Sequence, residues 1–170
     1  QLLHAAAIGN SKGAILITGK GGVGKSSTAL KGLEAGMLYL ADDYLIVKNQ
    51  PQPTVFSLYS SAKLVHDDLE KYPFFKSYLS NFIEEDQEKG VFFLYPELKD
   101  QIVISLPIKA LLTPEITGLP DSELCSINKA EMAKAMAFTT MSQLPYSGVY
   151  TYNFINSLAD GVLMAKLLLG

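Results

Sequence analysis

Directly after the apolar run Gly13-Ala14-Ile15-Leu16-Ile17-Thr18 the chain reads Gly19-Lys20-Gly21-Gly22-Val23-Gly24-Lys25-Ser26. Ser27 follows, and then Ala29, Leu30 and Leu33 recur at helical spacing. An apolar run bounded by glycines reads as a buried strand. Gly36 stands where a left-handed cap would close a helix over residues 24–35. Strand, glycine loop and helix in that order confine the chain to an α/β fold. The spacing Gly-x-x-x-x-Gly-Lys-Ser narrows this to a phosphate-binding P-loop. Its glycines let backbone N–H groups turn inward at a helix N-terminus, where the helix dipole also favours an anion. We therefore read Gly19, Lys20, Gly21, Gly22, Val23, Gly24, Lys25, Ser26 and Ser27 as a binding loop for ATP. Lys25 would place its ammonium on the β and γ phosphates, and the Ser26 hydroxyl would ligate Mg²⁺.

Further along, the pattern predicts strands over residues 37–41 and 44–48 on either side of the pair Asp42-Asp43. Beyond the loop Gln50-Pro51-Gln52-Pro53 it predicts a strand over 54–59 and helices over 62–72 and 75–85, joined at Pro73. Three more strands are expected over 91–95, 101–106 and 108–112, punctuated by Pro96, Pro107 and Pro114. Helices over 128–144 and 152–169 would close the chain, the first capped by Asn128 with Glu131 three residues on. Leu45, Val47, Val103 and Ile104 are expected core residues. The organisation is one domain over 1–170, with a nucleotide core at 1–49, a β-rich region at 50–127 and closing helices at 128–170. The absence of an initiator methionine suggests a domain cut from a longer chain.

Composition limits the partners. With 170 residues, 48% of them hydrophobic and 18% charged, the chain can bury a sizeable core. A net charge of −3 with scattered lysines provides no basic field for nucleic acid or anionic lipid. No apolar run approaches the roughly 20 residues of a membrane helix, and the first ten residues lack a signal-peptide pattern. The lone Cys125 reads as a small core hydrophobe and fits a reducing, cytoplasmic setting.

Asp42 and Asp43 follow Lys25 by 17 and 18 residues, at the end of the second strand. In open α/β sheets ligands bind outside the carboxyl ends of the strands, which would bring this pair to the metal and the γ-phosphate. Adjacent carboxylates repel each other, and a cation relieves that repulsion. A carboxylate there can also accept a hydroxyl proton as its oxygen attacks phosphorus. His4 lies 21 residues before Lys25.

Together these residues resemble the catalytic core of bacterial HPr serine kinase/phosphorylase and its shorter relatives. The resemblance runs from Leu3 to Val47: His4, then Gly24-Lys25-Ser26-Ser27-Thr28-Ala29-Leu30, Gly36 and Leu40-Ala41-Asp42-Asp43 match in spacing. It implies a P-loop on the mixed, strongly twisted sheet shared with phosphoenolpyruvate carboxykinase. It also implies catalytic roles for Asp43 as proton acceptor, Lys25 on the phosphates and His4 beside Asp43, with Ser26 and Asp42 at the metal. The implied cofactors are ATP and Mg²⁺, the partner a protein or peptide bearing a hydroxyl acceptor, and the assembly a homo-oligomer. Two features depart from the pattern. Lys20 stands where the family typically has a residue such as serine, and past residue 50 the family's second signature is missing. A kinase for an acceptor other than HPr fits these departures better than the name-giving enzyme. Two alternatives stay open: a domain that binds nucleotide without catalysis, and a dimeric switch ATPase of the variant Lys-Gly-Gly P-loop class, in which Lys20 would reach a partner's nucleotide.

Overall fold

The computed structural model of the chain describes residues 1–81, 89–145 and 148–170. Its organising element is a long strand, β9 (Ser105–Ile116). The loop-bearing strand β3 (Gly13–Ile17) runs parallel to it, with Leu16 opposite Leu111 and Ile17 opposite Leu112. The other edge of β9 is shared. β6 (Thr54–Phe56) pairs antiparallel with its start, and β11 (Leu163–Leu169) pairs parallel with its second half. Pro107 and Pro114 interrupt the sequence pattern, which suggested two strands, 101–106 and 108–112. Yet each proline falls where β9 has a neighbour on one side only, so no ladder donor is missed there.

The rest of the sheet curls. β2 (Ala6–Asn10) pairs with β3 and with β4 (Leu38–Ala41), while β1 (Leu2–His4) pairs with β5 (Tyr44–Lys48), which in turn pairs with β6. β1 and β2 are separated by Ala5 alone, and β4 and β5 by Asp42-Asp43 alone. Two nearly continuous strands therefore run alongside each other and bend the sheet back on itself at those breaks. The acidic pair sits on that bend. The mixed, twisted sheet and the α/β class agree with the expectation from sequence.

Helices cover both faces. α1 (Lys25–Glu34) buries Ala29, Leu30 and Leu33 against Ile8, Ile17 and Tyr39. α2 (Lys129–Gln143) and α3 (Val149–Asp160) bury Met132, Met136, Ile155 and Leu158 against Leu3, Leu16, Leu45 and Val47. Asn128 caps α2, its side chain accepting the Glu131 N–H at 2.9 Å. A separate two-stranded ribbon joins β7 (Ser61–Val65) to β8 (Lys89–Phe93), and β10 (Glu123–Cys125) pairs with β11.

Several expectations are corrected. Residues 62–72 are not a helix but β7 followed by a 3-10 turn over His66–Lys71. Of the expected helix at 75–85, a 3-10 turn over Pro73–Tyr78 forms, and its 82–85 end lies outside the described residues. Residues 152–169 divide at Gly161 and Val162, between the end of α3 and the start of β11. The leucine-rich tail finds seven partners along β9, and that pairing overrides its helix propensity. Leu45 and Val47 are fully buried and Val103 packs partly buried on the core, but Ile104 is 80% exposed because it precedes β9. Cys125 is only half-buried, on β10 at the sheet margin. No described helix is long and apolar enough to cross a membrane.

Leu30→Ala should lower the unfolding free energy by about 2–5 kcal/mol, the range for truncating a buried leucine. Ile104→Ser should change it by less than about 0.5 kcal/mol. Urea unfolding of both variants checks the placement.

Candidate functional site

The loop between β3 and α1 takes the shape its glycines permit. Gly24, at the α1 N-cap, has φ of 97°, and a Cβ there would come 2.7 Å from Leu169 Cδ1 on β11. Gly22 has φ of 80° and opens onto free space. No side chain caps α1, and its first turn carries no acid, so its leading N–H groups and dipole are left for an anion. Lys25 is buried, its Nζ donating to the carbonyls of Gly19 at 2.8 Å and Lys20 at 3.0 Å. Burial lowers its pKa against the raising pull of Asp42 and Asp43.

The bend between β4 and β5 brings the acidic pair to the same place. Asp42 is only 2% exposed. Its Oδ1 accepts the Ser26 hydroxyl at 2.8 Å and its Oδ2 the Lys63 N–H at 3.1 Å. Burial, and then the charge of Asp43, raises its pKa, while those two donors work against the rise. Asp43 takes a left-handed conformation, φ 74°, which aspartate tolerates better than most residues. Its Oδ1 lies 3.7 Å from His4 Nε2 and its Oδ2 3.3 Å from Lys63 Nζ. The His4 contact first, and then Lys63, hold the Asp43 carboxyl down to about 2 although burial pushes the other way. At 3.7 Å the histidine contact is longer than a well-formed hydrogen bond.

His4 itself is buried at the end of β1. Its ring lies 5.4 Å from that of Tyr44, and its backbone N–H donates to Thr140 Oγ1 at 3.2 Å. Tyr59 braces the bend, its hydroxyl donating to the Asp42 carbonyl at 2.9 Å and accepting the Tyr44 N–H at 3.1 Å.

Most of these residues meet at one cavity of about 370 Å³, while Asp42 lies buried behind its wall and reaches it only through Ser26. Gly21, Gly22, Gly24, Lys25, Ser26 and Ser27 line it from the loop, with His4 and Asp43 from the bend. Of the remaining loop residues, Gly19, Lys20 and Val23 instead line a neighbouring depression of about 490 Å³ with Thr113 and Lys166. The cavity also takes in Lys63, Asp68, Lys89 and Gln143, none of which the sequence singled out as site residues. Alternation along 61–65 could have flagged Lys63, but that stretch reads equally well as a helix. A larger depression, about 810 Å³, lies between α2 and α3 and holds none of the expected site residues.

Among the described residues no group of three or more His, Cys, Asp or Glu side chains gathers to hold a metal. The donors present nevertheless suit Mg²⁺, which commonly takes one or two protein oxygens and completes its shell with phosphate and water. The Ser26 hydroxyl and the Asp42 carboxylate are adjacent, and Asp42 is buried with its charged form disfavoured, the condition a cation relieves.

Fold and loop together define an α/β P-loop protein of kinase-like architecture. No protein-family model and no curated protein matches the sequence. Among solved structures the chain is similar to the HPr(Ser) kinase/phosphatase from Coxiella burnetii. The match covers 99% of this chain and 84% of that one, with a TM-score of 0.50 and 16% identity. At that identity the likeness is one of fold, and the fold is HPr kinase-like.

Asp43 also fixes an acid limit. Between pH 3.8 and about 2 the unfolded chain binds more protons at this carboxyl than the folded chain does. Its contribution to stability is therefore complete above that window and is lost as pH falls through it. Asp43→Asn should flatten the slope of unfolding free energy against pH there, as measured by urea unfolding at stepped pH.

Proposed function

We propose that this domain is an ATP- and Mg²⁺-dependent kinase that transfers the γ-phosphate to a serine-type hydroxyl on a protein or peptide. The observation that carries the reading is the 2.8 Å bond between Ser26 and Asp42, with Asp43 beside it facing the cavity lined by Lys25 and the loop. The likeness in fold to an HPr(Ser) kinase/phosphatase supports it.

Each side chain has a part to play. The loop N–H groups and Lys25 hold the phosphates, Lys25 exchanging its carbonyl partners in the loop for phosphate oxygens. Ser26 and Asp42 hold Mg²⁺, which when bound offsets charge on the β and γ phosphates. Asp43 is ionised at neutral pH and accepts the hydroxyl proton as the acceptor oxygen bonds to the γ phosphorus and the bond to the β-phosphate oxygen breaks. His4, fixed by burial and by the turn at Ala5, holds the Asp43 carboxylate in place through the 3.7 Å contact.

Asp43→Asn should lower phosphate transfer by about 10²–10⁴, the usual contribution of a general base, while ATP binding persists. Lys25→Ala should abolish ATP binding itself. Transfer from labelled ATP to candidate proteins and peptides, alongside calorimetric ATP titration, measures both. A loss of less than about tenfold in the first variant would remove Asp43 from the role.

A further inference from the structure

The β7–β8 ribbon carries two lysines that belong to no part of the phosphate-binding motif. Ala62 and Leu64 turn into the core, so Lys63 and Val65 face the other way. In the ribbon's register Lys63 pairs with Val91 and Val65 with Lys89, while Gly90 and Phe92 are buried. Lys63 and Lys89 therefore share one face, and both line the phosphate cavity with Lys25 and Ser26. Three lysines thus line a space of about 370 Å³.

Their partners differ. Lys25 is satisfied by loop carbonyls, and Lys63 leans on Asp43 at 3.3 Å. Lys89 has no carboxylate partner among the described residues, and its charge is felt at both Lys25 and Asp43. Of the two carboxylates on the same cavity, Asp43 is taken by Lys63 and Asp68 by Lys71, which leaves Lys89 for an anion, and a phosphate is the anion whose loop is already built there. Position narrows the choice further. The Lys63 backbone is pinned by its bond to Asp42, and its side chain, 43% exposed, is held only by the ion pair with Asp43. It rests against Asp43, the carboxylate that the kinase reading assigns to the acceptor's proton.

We propose that Lys63 and Lys89 contact the terminal phosphate of bound ATP, forming a second cationic clamp across from Lys25. The proposal rests on the kinase reading above and deepens it. The clamp gives up no proton. It holds charge on the phosphoryl group as that group passes from the β-phosphate oxygen to the acceptor oxygen, and ADP, lacking the group, should not engage it.

The test is calorimetric titration of the whole chain with Mg²⁺ and either ADP or the imido analogue of ATP. Wild type, Lys63→Gln, Lys89→Gln and the double variant are compared, with thermal melts confirming that each is folded. Each single change should weaken the analogue by about tenfold, as for a charge-assisted contact, and the double change by more. ADP affinity should shift by less than about threefold, and Lys63→Arg should keep the preference for the analogue. Equal losses for both nucleotides, or no loss, would overturn the clamp while transfer by the wild type keeps the kinase reading standing. A lysine-dependent preference in a wild type that phosphorylates no hydroxyl would instead sink the kinase reading and keep the clamp. A wild type that binds neither nucleotide would overturn both.

Discussion

Two donors from separate parts of the chain meet on one buried carboxylate. The Ser26 hydroxyl reaches Asp42 from the first turn of α1, and the Lys63 N–H reaches it from β7. Burying a carboxylate costs free energy unless such donors satisfy it, and each donor left without it would be stranded in turn. The helix carrying the phosphate loop, the bend carrying the acids and the ribbon carrying Lys63 consequently converge on one side chain, beside the apolar cluster that α1 shares with Ala62 and Leu64. Losing Asp42 would leave both donors without their acceptor.

The sheet supplies the rest of the geometry. Because β1 continues β2 and β4 continues β5 with only short interruptions, the two strand pairs turn together, and the chain must break its ladder where they bend. Ala5 and Asp43 face each other across that break, the Ala5 N–H donating to the Asp43 carbonyl at 3.0 Å. The curl places His4 and Asp43 in contact and turns both toward the loop on β3.

Much of this was legible before any coordinates. The loop, α1, β4, β5 and α2 all carry local signals, namely glycines at fixed offsets, helical spacing and an Asn cap, and local signals survive folding. Other elements could not be read because their cause is distant. Leu2 to Ala7 is rich in alanine and looks like no strand, yet it forms two strands because β4 and β5 lie alongside. Residues 163–169 are strong helix formers that become β11 only because β9 offers an open edge. Lys63 and Lys89 escaped notice for the same reason. They are 26 residues apart, and only the pairing of β7 with β8 puts them on one wall. Ile104 looked like a core residue because an apolar residue in an apolar run gives no sign that its strand starts one position later.

The close approach of Leu169 to Gly24 ties the phosphate loop to β11, distant in sequence. The glycine turn is backed by a strand more than a hundred residues away in sequence, so its stiffness is borrowed rather than local. Anything that peeled β11 from β9, by competing for that edge, would slacken the turn and loosen its hold without ever entering the cavity. The edge of the sheet is thus a remote handle on the grip.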